Sequence, residues 1–135
     1  MRKFEFKKTY EEIEVAGEVY RVDVSDKKLK EYQIEFHEFY KESQRLEKID
    51  VDELSAEEQT EMLDNALGIL EKVVNKILGD GSFDVLYEKS GKSIMNMIDL
   101  VNYLGDVVNE RLNGQRQEKR GHYLKHKQGK KKRRK

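Results

Sequence analysis

Residues 10–24 read YEEIEVAGEVYRVDV. Apolar and polar side chains alternate through both halves, the two-residue period of a strand with one buried face. A tight turn at Ala16-Gly17 places Ile13, Val15, Tyr20, Val22 and Val24 on one face. It also sets Glu12 opposite Arg21 on the other face, a favourable cross-strand pair. This coherent register predicts a β-hairpin, although Ala-Gly is weaker turn chemistry than Asn-Gly. A lone hairpin is marginal in water, so the rest of the chain has to cover its apolar side. Upstream, Phe4 and Phe6 alternate in the same way and predict a short third strand.

Past the hairpin the apolar residues recur at helical periods. Ser25 is a good N-cap residue. Beyond it Leu29, Tyr32, Phe36, Phe39, Ser43 and Leu46 recur at spacings of 3 and 4, a heptad seam longer than a hairpin needs. VDEL, residues 51–54, interrupts it, and Ser55 with Glu58 has the form of a capping box. The next helix carries Met62, Ala66, Ile69, Leu70, Val73, Ile77 and Leu78 on one broad face. Gly79 stands where a left-handed C-cap residue belongs. DGSFDVLYEKSG, residues 80–91, reads as a loop and a short helix from Ser82 that stops at Gly91. Ser93 caps the last core helix, where Ile94, Met97, Ile98, Val101, Leu104, Val108 and Leu112 share a stripe. Leu100 and Val107 widen that stripe, so this helix is expected to be the most buried. Asn113-Gly114 offers a stop, past which QRQEKRGHYLKHKQ is able to continue as a polar helix. The expectation is a mainly α (α+β) fold: an N-terminal β-hairpin packed on three to four helices, with a basic C-terminal extension. Residues 1–113 form the domain and 114–135 the extension, whose end has nothing to bury and is expected to be disordered.

Composition narrows the function. The 135 residues contain no Cys and no Pro. Disulfides and thiolate metal sites are excluded, and no ring interrupts a helix. The start, MRKFEFKK, lacks the apolar run of a secretory signal, and no stretch approaches a membrane span. A soluble cytosolic protein is expected. The formal net charge of +0 is a cancellation. Residues 114–135 hold eleven cations and one acid, a net of +10; the preceding 113 residues hold sixteen cations and twenty-six acids, a net of −10. An acidic body repels nucleic acid over most of its surface. The closing KKKRRK would support sequence-blind, salt-dependent phosphate binding. Yet Tyr123 is the only stacking residue near it, and a solubilising tail explains the run as well.

Catalysis finds no footing. There is no nucleophile elbow, no phosphate-cradling glycine loop and no His-Glu-x-x-His. GDGS, residues 79–82, has too few oxygen ligands for a calcium loop. His122 and His126 stand i, i+4 but lie among cations with no third ligand, and His37 is most simply a solvated or hydrogen-bonded side chain. No cofactor and no metal is expected. The feature with most promise is the ring cluster Tyr32, Phe36, Phe39 and Tyr40 on the first helix. Aromatics serve cores and interfaces alike. In a chain with few layers, part of this ridge is expected to face a partner.

FEFKKTYEEIEVAGEVYRVDVSDKKLKEYQIEFHEFYKE, then LSAEEQ, ILGDGSFDVLYEKSGKSIMNMIDLVNYL and ERLNGQRQEKRGHYLKHK, resembles the small tail assembly chaperones of siphophages and prophages of Gram-positive hosts. The likeness covers nearly the whole chain and is one of overall pattern: strand pair, acidic helical body, GDGSFDVLYEKSGKS turn region, Lys/Arg-rich end. It implies a non-enzymatic role, coating the long helical tape measure protein before the tail tube polymerises around it. Such proteins act in the host bacterial cytoplasm and are absent from the finished particle. In many such phages a ribosomal frameshift appends a second domain to a minority of copies. Lys codons form the A-rich tracts that slippage needs, which gives KKKRRK a reading at the level of the message. The expected partners are the tape measure protein, further copies of the chain and a frameshifted longer form of it; membrane and nucleic acid are not expected. Tyr32, Phe36, Phe39 and Tyr40 are the candidate partner-binding residues, with Arg116, Lys119 and Arg120 as a basic contact. These site assignments are physical inference. The alternative function is an accessory protein holding nucleic acid non-specifically through its basic end.

Overall fold

In a computed structural model, the backbone is described for residues 1–131 and the side chains for residues 1–114. Two strands, β1 (Tyr10–Val15) and β2 (Glu18–Asp23), precede four helices: α1 (Asp26–Glu47), α2 (Ala56–Leu78), α3 (Ser82–Lys89) and α4 (Ile94–Lys131). A 3-10 turn at Val51–Glu53 joins α1 to α2. The strands pair antiparallel with Glu12 opposite Arg21 and Ile13 opposite Tyr20, the register expected from the alternation. Both turn residues have positive φ, 51° at Ala16 and 84° at Gly17, which the twist of a two-residue hairpin requires. Ile13, Val22 and Val24 are buried beneath the sheet, and β2 packs on α2.

The third strand does not form. Residues 1–8 have no regular structure, and Phe4 and Phe6 are 80% and 90% exposed. Their rings meet only each other among aromatics, edge to face at 5.0 Å. Alternation alone gave them no neighbouring strand to pair with. The mainly α fold with an N-terminal hairpin is otherwise as expected.

Caps and turns follow the sequence with three differences. Ser55 and Glu58 form the reciprocal capping box, and Ser93 Oγ accepts from the Asn96 N–H at 3.2 Å. Ser25 occupies the N-cap of α1, but its hydroxyl makes no capping bond. Instead its N–H donates to Asp23 Oδ1 at 2.8 Å, which holds the Asp23 carboxyl below its usual range. Gly79 has φ 110° and ψ 157°, a region open essentially to glycine but not the left-handed helical one. The left-handed residue is Gly81, directly before α3. The stop at Asn113-Gly114 is not taken, because the α4 backbone runs on through both. The expected basic extension falls within and beyond this helix; its side chains and its end lie outside the described residues.

The core gathers where the sheet meets the helices. Buried apolar side chains are Leu29, Tyr32, Phe36 and Phe39 on α1, Leu70, Val73, Val74 and Ile77 on α2, and Met97, Val101, Leu104 and Val108 on α4. Gly105 is buried as well, so the described part of α4 has five buried positions against four on α1 and four on α2, and it is the most buried of the three, as expected. Phe83 and Leu86 of α3 close its side. Salt bridges tie the layers together at the rim. Lys89 of α3 meets Glu18 at the hairpin turn at 3.0 Å, and Lys76 of α2 meets Glu31 of α1 at 3.4 Å. Burial pushes the Glu31 carboxyl up, and Lys28 and Lys76 together outweigh that push, leaving it below the usual range.

One small device was not legible in the sequence. Asn75, near the end of α2, turns its Oδ1 to accept the Phe83 N–H at 2.9 Å. It thereby caps α3 from another helix. Replacing Asn75 with Ala is expected to cost about 1–2 kcal/mol, because a partly buried donor loses its acceptor. A urea titration followed by circular dichroism checks this; an unchanged midpoint would remove the capping role.

Candidate functional site: an uncovered seam between two helices

Helix α4 runs antiparallel to α1, and three contacts fix this. Ile98, in its first turns, shares a cleft with Leu46 of α1. Gly105 lies under Tyr40 and Phe36: a Cβ built there would sit 2.9 Å from Tyr40 Oη and 3.5 Å from Phe36 Cε1. Glycine is what lets the two helices approach at this point. At the far end, Arg111 donates to the Lys8 carbonyl at 2.8 Å and pairs with Glu11 at 3.6 Å. So α4 begins near the α1–α2 connection and reaches the strand end of the molecule at Gly114.

This geometry corrects the assignment of Tyr32, Phe36 and Phe39 to partner binding. They are 1%, 7% and 6% exposed, sealed between α2, α4 and the sheet. Helix α4 covers most of the ridge, part of which was expected to face a partner. Tyr40 alone of the four remains exposed, its ring stacked beside Phe36 at 6.3 Å. Arg116, Lys119 and Arg120 lie outside the described side chains, as do His122 and His126. His37 is exposed on α1.

The uncovered apolar surface lies further along. No residue between positions 40 and 69 is fully buried, although this stretch spans the second half of α1, the 3-10 turn and the first half of α2. Yet Leu46, Ile49, Leu54, Met62, Ala66 and Ile69 are all half-buried along the line where the two helices meet. The first turns of α4 reach this stretch at Ile98, level with Leu46, Ala66 and Ile69, and the pair lacks a third helix only beyond them, toward the tip. Leu46, Ala66, Ile69 and Ile98 line a narrow cleft of about 40 Å³ floored by Phe39 and Leu70. Nearer the tip, Ile49, Leu54 and Met62 line a wider groove of about 340 Å³ whose rim carries Arg45, Glu58 and Glu61. Residues 47–64 hold eight acids and one cation. An apolar line inside an acidic surround is suited to holding the apolar stripe of another helix, with polar groups left at the rim.

Other depressions offer less. One of about 430 Å³ at the strand end is lined by Lys7, Lys8, Glu11, Glu110 and Arg111, and Arg111 is already engaged there. Among the described residues, no three His, Asp or Glu side chains converge as metal ligands, and no helix is long and apolar enough to cross a membrane. Against protein-family models, curated proteins and solved structures, the chain finds no match. What the molecule does has therefore to be argued from its own surfaces.

Proposed function

We propose that this chain is a phage tail assembly chaperone. It binds and solubilises the tape measure protein while the tail tube assembles, in the host bacterial cytoplasm, and it leaves before the virion is complete. Two things support the reading: the resemblance of the sequence to such chaperones, and the stretch at positions 40–69, the distal parts of α1 and α2 with their connection, that carries an apolar seam without a fully buried side chain. The second observation carries it. A tape measure protein is a long helix with apolar stripes that aggregate if left bare. An open two-helix seam accepts such a stripe as the third member of a bundle. The acidic surround keeps the unloaded protein soluble. Many weak contacts along one long client then add up to firm coating while each remains reversible. Tyr40 borders this surface, and the basic group Arg116, Lys119 and Arg120 is a further proposed contact.

The test is binding of helical tape measure segments, followed by fluorescence anisotropy. Substituting Leu46→Glu and Ile98→Glu together is expected to weaken binding at least about tenfold, the scale of losing one apolar anchor. Ile98 also packs against the core, so the single variant Leu46→Glu is measured beside the double one, and its melting transition is expected to survive while binding weakens. Binding is also expected to tolerate salt. Unchanged affinity in the double variant would remove the seam as the site. Tail-dependent binding to generic duplex that falls steeply with salt, without tape measure binding, would replace the reading with the nucleic-acid alternative.

A further inference from the structure

The two ends of the molecule are chemically complementary. At the strand end, residues 1–8 form an arm with two exposed rings, Phe4 and Phe6, and four cations, Arg2, Lys3, Lys7 and Lys8, against one acid, Glu5, which pairs with Lys3 at 3.1 Å. At the helical tip lies the groove of about 340 Å³ with Ile49, Leu54 and Met62 in it; its rim carries Glu58 and Glu61, and Arg45, whose charge is met by Glu42. Large exposed rings beside cations are expensive to leave in water and match a groove that is apolar inside and acidic around.

Reach decides which copy supplies the arm. The arm leaves the sheet at Thr9, whose carbonyl accepts from Val24 N–H at 2.8 Å, directly before α1 begins. The tip lies beyond the other end of α1, a helix of 22 residues and hence roughly 33 Å long. Phe6 stands three residues from Thr9 and Phe4 five, so even a fully extended arm carries them only about 10–17 Å. The rings cannot reach the groove of their own chain. We propose that the arm of one copy docks in the acid-rimmed groove at the helical tip of a second copy, with Phe4 and Phe6 as anchors. The contact joins unlike surfaces at opposite ends. It is therefore heterologous and repeats from copy to copy, building rows rather than closed pairs unless the rotation closes a ring. The arm takes the tip end of the seam, Ile49, Leu54 and Met62, and so leaves a client helix the cleft at Leu46, Ala66, Ile69 and Ile98.

Sedimentation velocity of the full chain over a concentration series tests it. Mass is expected to grow with concentration at low salt and to shrink at about 0.5 M salt, where exposed charge pairs are screened. Phe4→Ser with Phe6→Ser alters only exposed arm residues and is expected to weaken association at least about tenfold. Glu58→Lys with Glu61→Lys is expected to do the same from the groove side. A mixture of the two variants has one intact arm and one intact groove, so it is expected to form a 1:1 dimer and nothing longer. A wild-type chain that stays monomeric up to about 1 mM would overturn the proposal. So would association that survives loss of both rings; if that association were also salt-sensitive, the groove would belong to the basic segment after Gly114. A mixture that gave no dimer would overturn it as well. None of these readouts involves the tape measure protein, so failure here is separate from failure of the chaperone reading.

Discussion

Replacing Phe36 and Phe39 together with serine is expected to unfold the protein. Both rings are nearly inaccessible, and both belong to the one cluster that joins sheet, α1, α2 and α4. Truncating a buried Phe costs about 3–5 kcal/mol through lost transfer energy and the cavity left behind. Serine adds a hydroxyl with no assigned partner. Two such losses together approach or exceed the roughly 5–15 kcal/mol that holds a domain of this size folded. Circular dichroism is expected to show no cooperative thermal transition for the double variant. A folded double variant with normal helix content and impaired partner binding would instead restore these rings to an interface. Tyr40→Ser is the matched control: Tyr40 is 42% exposed, against 7% and 6% for Phe36 and Phe39, and the transition is expected to survive.

Tyr32 gives the second large effect, and it appears only in alkali. Its hydroxyl donates to the Asp23 carbonyl at 2.7 Å, which pins the end of β2 to α1. Burial, and then the nearby Asp23 and Glu31 carboxylates, push its pKa from about 10 up to about 12. Between those values the unfolded chain has shed a proton that the folded chain still holds, so rising pH favours unfolding. The stability contributed by the neutral phenol is fully present below pH 10 and is lost as pH climbs through 12. The loss is on the order of 2–3 kcal/mol. Tyr20 is also raised, first by burial, and acts in the same direction. Tyr32→Phe is expected to cost about 1 kcal/mol at neutral pH for the missing hydrogen bond. It is also expected to flatten the alkaline limb of a stability-versus-pH curve measured by denaturant titration. An equally steep limb in the variant would assign the alkaline sensitivity to other groups.

How far the sequence could be read depended on whether a pattern named its own partner. The hairpin did: alternation, turn and the Glu12–Arg21 pair constrain one another, and the pairing follows the expected register. The capping box did so too, since both of its members lie within four residues. The aromatic ridge did not. A 3-and-4 spacing says that a helix has an apolar face, yet the same face serves a core or an interface. Only the path of α4, with Gly105 admitting Tyr40 and Phe36, decides that three of the rings are inside. Phe4 and Phe6 failed for the converse reason, as alternation without a strand to pair with. Asn75 left no local signal, because the group it caps is eight residues away. The open seam was half visible: Leu46, Met62, Ala66 and Ile69 stood in the expected stripes, but where the third helix starts is a fact of packing.

The bare distal half of the α1–α2 pair has a dynamic consequence. Cooperative protection of backbone amides comes from burial, and positions 40–69 have little of it, while the other halves of the same helices enter the common core. Amide hydrogens there are expected to exchange with deuterium through local fraying, well before those around Val22, Val73 and Val101. Such a region is able to adjust its crossing angle to successive heptads of a client without disturbing the rest of the molecule. Plasticity and rigidity thus share two continuous helices, divided near Phe39 and Leu70.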